Sequence, residues 1–581
     1  MSRNRRLLVL VALALVAGAT WLGVRAYQAE SHMSSARTAV EQARADLLDR
    51  KLDAAGTDLR RAASETAAAK HVTRDPIWRI TSHLPFLGRS FRTVSALASA
   101  SDTLTQDTLP TALREAERLD PKRLRRPDGS IDLSVLRSAA PGLRRAAQSS
   151  AEADAAGRRA PASMLLPGVA GARREFLASS SHLTSALVAA RRAVDLAPVL
   201  LGDGVTRRYF VAVQQNAESR GTGGLIGGYA ILQARDGRIR VLEQGTDRDL
   251  FGDTRAINPP ADLPNGFTQA YGFYSVFSQW VNINLPPHLP AVASLIKAKW
   301  AARTGQQLDG VIALDGNALQ DILIGSPPLR IGDKTVQPEH LADYLAIGQY
   351  EGRSLDPVDT NERKDSLEEV AGTVLRRLTA SGSDSDALIR GLIRAVRSGH
   401  LRMASPEPAL AGLHEAGVDG ATPSGPAPVA YPVIYNAQGS KLDLWLHRTV
   451  HWSCGSNGRV TVTVDLRADT PAGPLPQYVA LDVRQNPKVR VTRTDAVHLD
   501  LYVTRGARLV AASRDGTPLK PVALTHGVVD GLPFWGTDFE LPPGQKHTFS
   551  LVLDKAGTPG DVRIPEQPLA QPLVRDVRDR C

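Results

Sequence analysis

The chain has 581 residues, more than one hydrophobic core accommodates, so it holds several domains. Lys and Arg outnumber Asp and Glu by 70 to 60, a formal net charge of +10 that suits anionic headgroups, wall polymers or lipid-linked phosphates. Two cysteines, Cys454 and Cys581, leave room for one bridge, and no Cys/His cluster points to a structural metal or a zinc-finger motif.

Arg3, Arg5 and Arg6 precede Leu7–Val24, a run without charge. As a helix it measures roughly 27 Å, about one hydrocarbon thickness. Basic residues on its short N-terminal side place residues 1–6 in the cytoplasm and everything after Arg25 outside the membrane. The rival is a cleaved signal peptide, because Ala17-Gly18-Ala19 has the small-residue form of a cleavage site. The apolar run continues past that site through Trp21 and Val24, which favours an uncleaved single-pass anchor spanning 7–24. Either way the bulk is extracytoplasmic, where nucleic acid is a poor partner.

The fold class expected is a multidomain α+β chain. Residues 27–200 are rich in Ala, Leu, Arg, Ser and Asp and repeat apolar residues at three- and four-residue spacing, as in a helical stalk or bundle. Connectors fall at His83–Arg89 and Pro121–Ile131. Strict heptads are not sustained, so a coiled coil is the weaker reading.

Residues 205–415 alternate strand and helix, an α/β pattern. Arg208–Gln214 reads as a strand, and Tyr229–Gln244 as a hairpin turning on Asp236-Gly237. Thr268–Trp280 reads as an aromatic helix carrying Tyr271, Phe273, Tyr274, Phe277 and Trp280. A helix His288–Thr304 stops on Gly305, and Asp309–Asp315 reads as a buried strand. A hairpin over Leu329–Val336 and a helix over Pro338–Ala346 follow. Asp359-Thr-Asn-Glu362 opens a further helix as a capping box. Glycine and proline make 416–428 a linker. Short β runs between turn signals fill 429–565, as in a β-sandwich. The Pro- and Arg-rich tail, 566–581, reads as loosely held. His447 and His451 lie four apart in a strand-like run, a packing pattern rather than a metal site.

One segment differs in kind. Gln214-Gln-Asn-Ala-Glu-Ser-Arg-Gly-Thr-Gly-Gly-Leu-Ile-Gly-Gly-Tyr229 joins a polar cluster to a glycine-dense turn, and Asp247-Arg248-Asp249 follows the hairpin. Glycines let a backbone approach a ligand, and arginines nearby favour an anion such as phosphate. Arg220 and Arg248 are therefore the candidate phosphate clamp, to which a family resemblance adds Arg363. Gln215, Asn216, Gly223, Gly224 and Asp249 are candidate binding residues, and Glu218 or Asp249 a candidate metal ligand. Each has a plainer reading: Arg220 pairs with Glu218 or Asp249 as structural glue, Arg248 is solvated between two acids, Arg363 makes a helix-flank pair, the aromatics are core and the glycines a tight bend. The segment lacks the endings of a P-loop and of a dinucleotide fingerprint, and no nucleophile elbow appears.

The leader, the Ala-rich helices, Gln214–Gly224, Asp309-Gly-Val-Ile-Ala-Leu-Asp315 and Asn436-Ala-Gln-Gly-Ser-Lys-Leu-Asp443 together resemble the bacterial family filed as domain of unknown function 4012, which carries no assigned activity. More distantly, the middle region resembles the LytR-CpsA-Psr family, membrane-anchored enzymes that move glycopolymers from polyprenyl-phosphate carriers to the cell wall. That resemblance maps an acid-x-arginine motif onto Glu218 and Arg220, an Arg-Asp pair onto Arg248-Asp249, and an acid with a basic pair onto Asp359, Arg363 and Lys364. It implies magnesium, yet no second acid falls in Gly221–Gly228, Asp247 replaces a proline, and the paired arginines near Gly348-Gln349 are absent. The reading is an extracytoplasmic, membrane-anchored cell-envelope protein that binds a phosphorylated, polyprenyl-linked glycan, a wall polymer or a similar anion, with transfer chemistry open. Its alternative is a non-catalytic envelope scaffold with structural arginines.

Overall fold

The computed structural model describes residues 3–48, 51–332, 334–353, 372–374, 377, 385–455, 458–484, 490–557 and 560–578, with the backbone alone at 3–15, 48, 121–122 and 385–386. It divides into two compact units, Met1–Arg126 with Ile131–Pro198, and Pro127–Ser130 with Val199–Cys581.

The first unit is helical. Its helices are α1 (Arg3–Leu48), α2 (Leu52–Val72), α3 (Pro76–Ser82), α4 (Leu87–Thr103), α5 (Leu109–Arg118), α6 (Pro121–Leu124), α7 (Leu133–Arg159) and α8 (Pro167–Leu200). The alanine spacing has a purpose: Ala29, Ala36, Ala39 and Ala43 of α1 and Ala55, Ala62 and Ala69 of α2 are all buried, and small side chains let the helix axes come close. Buried hydroxyls tie the layers, with Thr66 to Thr105 at 2.6 Å and Thr108 to Ser149 at 2.7 Å. Asp75 caps α3 by accepting from the Ile77 amide, and Asp132 caps α7 by accepting from Ser134. The expected loop over 121–131 holds the single turn α6, because Pro121 presets the first helical φ. The charge-free run lies within α1; among the described residues, no helix is long and apolar enough to cross a membrane.

The second unit begins with a five-stranded sheet in the order β3-β2-β1-β4-β7. The strands are β1 (Arg207–Arg220), β2 (Gly223–Arg235), β3 (Arg238–Thr246), β4 (Gly310–Asp315) and, after a small hairpin of β5 (Leu329–Ile331) and β6 (Lys334–Val336), β7 (Leu401–Ala404). The Asp236-Gly237 turn joins β2 to β3 with both residues at positive φ, as a two-residue hairpin demands. β4 lies parallel to β1, Val211 beside Ile312, and the helix Leu289–Thr304 that precedes it ends on Gly305 at φ 75°. Gln214–Gly224 is thus mostly strand: β1 runs through the whole polar cluster before the chain reverses at Gly221-Thr222.

Two further sheets complete the unit. One has six strands, β15 (Thr517–Leu519), β14 (Arg508–Arg514), β18 (Lys546–Asp554), β10 (Val460–Ala468), β9 (Leu446–Cys454) and β19 (Leu573–Val577). The other has four, β16 (Thr525–Val529), β17 (Leu532–Leu541), β13 (Asp495–Val503) and β8 (Ala430–Asn436). A two-stranded ribbon pairs β11 (Leu481–Asp482) with β12 (Arg490–Val491). The four-stranded sheet is a shared wall. Its Ala430, Ile434, Val497, Leu499, Leu501 and Val503 face the six-stranded sheet, whereas Tyr431, Val433, Tyr435, Tyr502 and Phe534 join the core of the five-stranded sheet around Phe210, Trp280 and Trp300. This explains why β8 lacks alternation: both its faces are covered.

Three expectations change. The aromatic helix Thr268–Trp280 is only Phe267–Tyr271; a 3-10 turn follows and Ser275 sits at φ 58°, so Tyr271 and Trp280 enter the core while Phe273 points to solvent. Residues 416–428 do not hold two bodies apart, because Asp419 and Thr422 are buried and the Gly420 carbonyl accepts from the Leu289 amide. The tail is held: β19 runs parallel to β9, and Gln567, Leu569 and Leu573 are buried. Its proline content hid a strand whose hydrogen bonds come from an edge of the sandwich. His451 clasps that strand, its two ring nitrogens each 2.9 Å from Asp576 and Asp465, and Cys454 is disulfide-bonded. Cys581 lies outside the described residues.

Candidate functional site

The polar end of β1 meets the segment after β8, and the two motifs singled out in the sequence close on each other. Glu218, Arg220, Lys441 and Asp443 are all buried. One oxygen of Glu218 faces the Arg220 guanidinium at 3.3 Å, and the other accepts from the Lys441 ammonium. The Ser219 amide donates to Asp443 at 2.7 Å, and Asn436 donates to the other Asp443 oxygen at 2.8 Å. Gln567 of the tail stitches a third chain segment in: its amide donates to the Arg220 carbonyl at 2.9 Å and the Ile434 carbonyl at 2.8 Å, and its oxygen accepts from the Ile434 amide. Burial alone would pull Lys441 down, but Glu218 beside it holds it above the ordinary lysine value.

Charge balance decides the protonation of this latch. Asp495 is buried against Asp443, and burial together with that neighbouring charge raises it well above the usual carboxylate range. With Asp495 neutral, Arg220 and Lys441 share the Glu218 carboxylate, and Asp443 is held by the Ser219 amide and Asn436. A protonated Asp495 donating to Asp443 also gives its own carboxyl a partner.

The other sequence candidates serve the same scaffold. Asn216 donates to Asp315 at 3.2 Å and to Asn317 at 3.1 Å, while His400 meets the same Asp315 carboxylate at 2.6 Å. Burial disfavours a charged His400, but the Asp315 bond wins and raises it. Gln215 donates to the Leu345 carbonyl at 2.7 Å. Gly224 is required by packing: an added Cβ would sit 2.0 Å from the Gln215 carbonyl oxygen. Gly223 adopts φ 139° with Pro568 of the tail above it. These glycines admit protein backbone and tail rather than a ligand. Asp249 closes a capping box by accepting from the Thr246 amide at 2.9 Å, on the short helix Asp247–Phe251. Arg248 is exposed on that helix, whereas Arg220 is buried in the latch. Arg363, with Asp359 and Lys364, lies outside the described residues. Among the described residues, no group of three or more His, Cys, Asp and Glu side chains is placed to hold a metal.

Residues 204–350 match the model of the family described as protein of unknown function (DUF4012). The DUF4012 match therefore covers β1 to β4 and the Glu218–Arg220 half of the latch, while Lys441, Asp443 and Gln567 lie beyond it. No curated protein and no solved structure matches the chain.

Sequence reasoning missed Lys441, Asp443, Asp495 and Gln567 as partners of the first motif. Their signal was weak: Lys441, Asp443 and Gln567 lie in turns and irregular segments, where a polar residue does not by itself announce burial.

A second polar feature lies elsewhere in this unit. A cavity of about 440 Å³ is lined by Arg397, Arg402, Arg563, His414, Asp419 and Glu566 among others. Its acids have partners of their own: Asp419 lies 2.8 Å from a ring nitrogen of His414, and Glu566 accepts from Arg575 at 2.7 Å. Among the described residues, Arg402 donates to the Glu566 carbonyl and meets the Tyr431 hydroxyl, and Arg563 donates to the Ser424 carbonyl. The cavity is thus richer in uncompensated positive charge than the latch.

Proposed function

We propose that this is an extracytoplasmic cell-envelope protein, anchored by the Leu7–Val24 part of α1, that binds a phosphorylated glycan, a lipid-linked phosphate or a similar anion without transferring it. The observation that carries the reading is the cavity lined by Arg397, Arg402 and Arg563, where Arg402 and Arg563 donate to backbone carbonyls and Arg397 is exposed. Exposure of Val16, Trp21, Val24 and Tyr27 along α1 supports the anchor, with Trp and Tyr where an anchor places them at the headgroup level. Transfer chemistry of the LytR-CpsA-Psr kind asks Glu218 and Arg220 to face a ligand, and here they face each other and Lys441. Magnesium has no second acid beside Glu218 to share.

The test is titration of the full chain in detergent with a polyprenyl pyrophosphate, with and without magnesium. Binding that weakens in Arg397→Glu, Arg563→Glu and is indifferent to magnesium is the expected result. Binding unchanged in that variant removes the cavity as the site, and magnesium-dependent turnover restores the transferase reading.

A further inference from the structure

We propose that one end of the helical unit is built to lie on the anionic lipid surface of the membrane, through two apolar tips that flank the exit of the anchor. The tips are Ile80, Leu84, Phe86 and Leu87 between α3 and α4, and Met164 with Leu166 between α7 and α8. Their exposures are 69, 47, 74, 50, 62 and 50%. Large side chains left in water along two neighbouring loops form a patch that a folded protein does not keep without a partner.

Backbone conformation singles out the same residues. Phe86 has φ 62° and Met164 φ 55°, positive values that bulky side chains rarely adopt. Both strained positions hold a large apolar side chain outward. The loops are fastened together below the tips: Arg89 donates to Ser163 at 2.8 Å, the Leu166 amide donates to Ser90 at 3.0 Å, and Thr93 donates to the Pro161 carbonyl at 3.1 Å.

Charge and position specify the occupant. Residues 76–101 and 155–174 contain no Asp or Glu and carry Arg79, Arg89, Arg92, Arg159, Arg173 and Arg174, while Arg158 pairs with Asp154 just outside them. Apolar tips ringed by arginine match a surface of acyl chains under anionic headgroups. The ring is also at the right height. Trp21, near the end of the charge-free run, and Arg25 both engage Asp75, at 3.4 Å and 3.3 Å, and Asp75 caps the helix that bears Ile80. Arg25 stacks over the Trp21 ring at 4.5 Å. If Trp21 and Arg25 mark the headgroup level, Ile80 lies about one and a half helical turns from it. This inference rests on the anchor reading, and the test separates the two.

The full chain is reconstituted in phosphatidylglycerol–phosphatidylcholine vesicles after bimane labelling at Val11→Cys, Phe86→Cys or Ser138→Cys, with the labelled parent chain as background. Ser138 is exposed on α7, roughly 30 Å from the end of α7 that meets the tips. Emission is read with lipids quenching at shallow and deep positions and with aqueous iodide. The proposal expects strong shallow-lipid quenching at 86, deep-lipid quenching at 11, iodide quenching alone at 138, and a loss of quenching at 86 when phosphatidylglycerol is omitted. Quenching by lipid at 11 with iodide alone at 86 overturns the docking surface and leaves the anchor. Absence of lipid quenching at both overturns the anchor and the surface with it. Protection at 86 from lipid and iodide together, with a dimer by light scattering, gives the patch to a second copy of the chain and overturns the proposal.

Discussion

The latch and the cavity belong to the same unit and both display arginine, but they solve opposite electrostatic problems. In the latch, Arg220 and Lys441 are buried and share the carboxylate of Glu218, while Asp443 is held by the Ser219 amide and Asn436. In the cavity, the guanidiniums of Arg402 and Arg563 meet carbonyls, while Asp419 is bonded to His414 and Glu566 to Arg575. Interior charge must be paired or it destabilises the fold, whereas charge at a wet cavity can wait for a ligand. A conspicuous charged motif is therefore weaker evidence for binding than an inconspicuous one whose counter-charge is missing.

The sharpest way to break this comparison is to remove one latch partner. Lys441→Met leaves Glu218 with only the Arg220 contact at 3.3 Å, and should cost about 3–5 kcal/mol, the range for breaking a buried pair. Urea unfolding measures it. A loss below about 1 kcal/mol would mean water reaches Glu218 and the latch is not closed. The double variant Glu218→Leu, Lys441→Met should cost at least as much, because it also takes from buried Arg220 the carboxylate it faces.

Gln567→Ala comes next. It strips partners from the Arg220 and Ile434 carbonyls and the Ile434 amide, each buried between sheets. About 1–3 kcal/mol is expected, together with faster amide exchange at Ile434. An unaltered exchange rate at Ile434 would show that the tail merely rests on the latch.

The protonated Asp495 makes the same region pH-dependent. Its folded value is raised by burial and by Asp443, so its contribution is complete below the unfolded carboxylate value of about 3.9 and is lost as pH rises through the folded value. The thermal midpoint should fall from mildly acid to mildly alkaline pH, and Asp495→Asn should flatten that slope. A slope that survives in the variant assigns the dependence to another group. His498 is the natural second. Burial disfavours its charge, yet Asp500 and Asp538 at 3.0 and 2.7 Å push it up to about 9. Its contribution is present below the unfolded value of about 6.5 and is lost as pH rises through about 9, a smaller effect because Asp538 is largely exposed. Imidazole resonances titrating near the ordinary histidine value would reject that pairing.

Much of this molecule was legible because its local signals agree with its burial. The Asp236-Gly237 hairpin, the strand ending at Asp315 and the helix stopped by Gly305 follow from turn chemistry and period alone. The latch was half legible. Pairing of Glu218 with Arg220 is a two-residue matter, but Lys441 comes from 223 positions away and Gln567 from farther still, distances over which spacing carries no information. The tail strand failed for a related reason, since β19 is defined by the β9 edge it joins rather than by its own alternation. The cavity left no motif, because its arginines come from two distant stretches of chain, 397–402 and 563.

The smallest expected stability effect is the one that most sharpens the contrast. Arg397 is exposed at the end of the helix Ser385–Arg397 and lines the cavity, so Arg397→Glu should leave the unfolding midpoint within about 0.5 kcal/mol of the parent. The same change reverses a charge that an incoming phosphate would meet, so affinity for inorganic pyrophosphate should fall and the salt dependence of binding should flatten. Stability and affinity then separate at Arg397, whereas Arg220, buried in the latch and outside the cavity lining, should register in stability. A variant that loses stability without losing affinity would place Arg397 with the latch, and the division between paired interior charge and waiting surface charge would have to be redrawn.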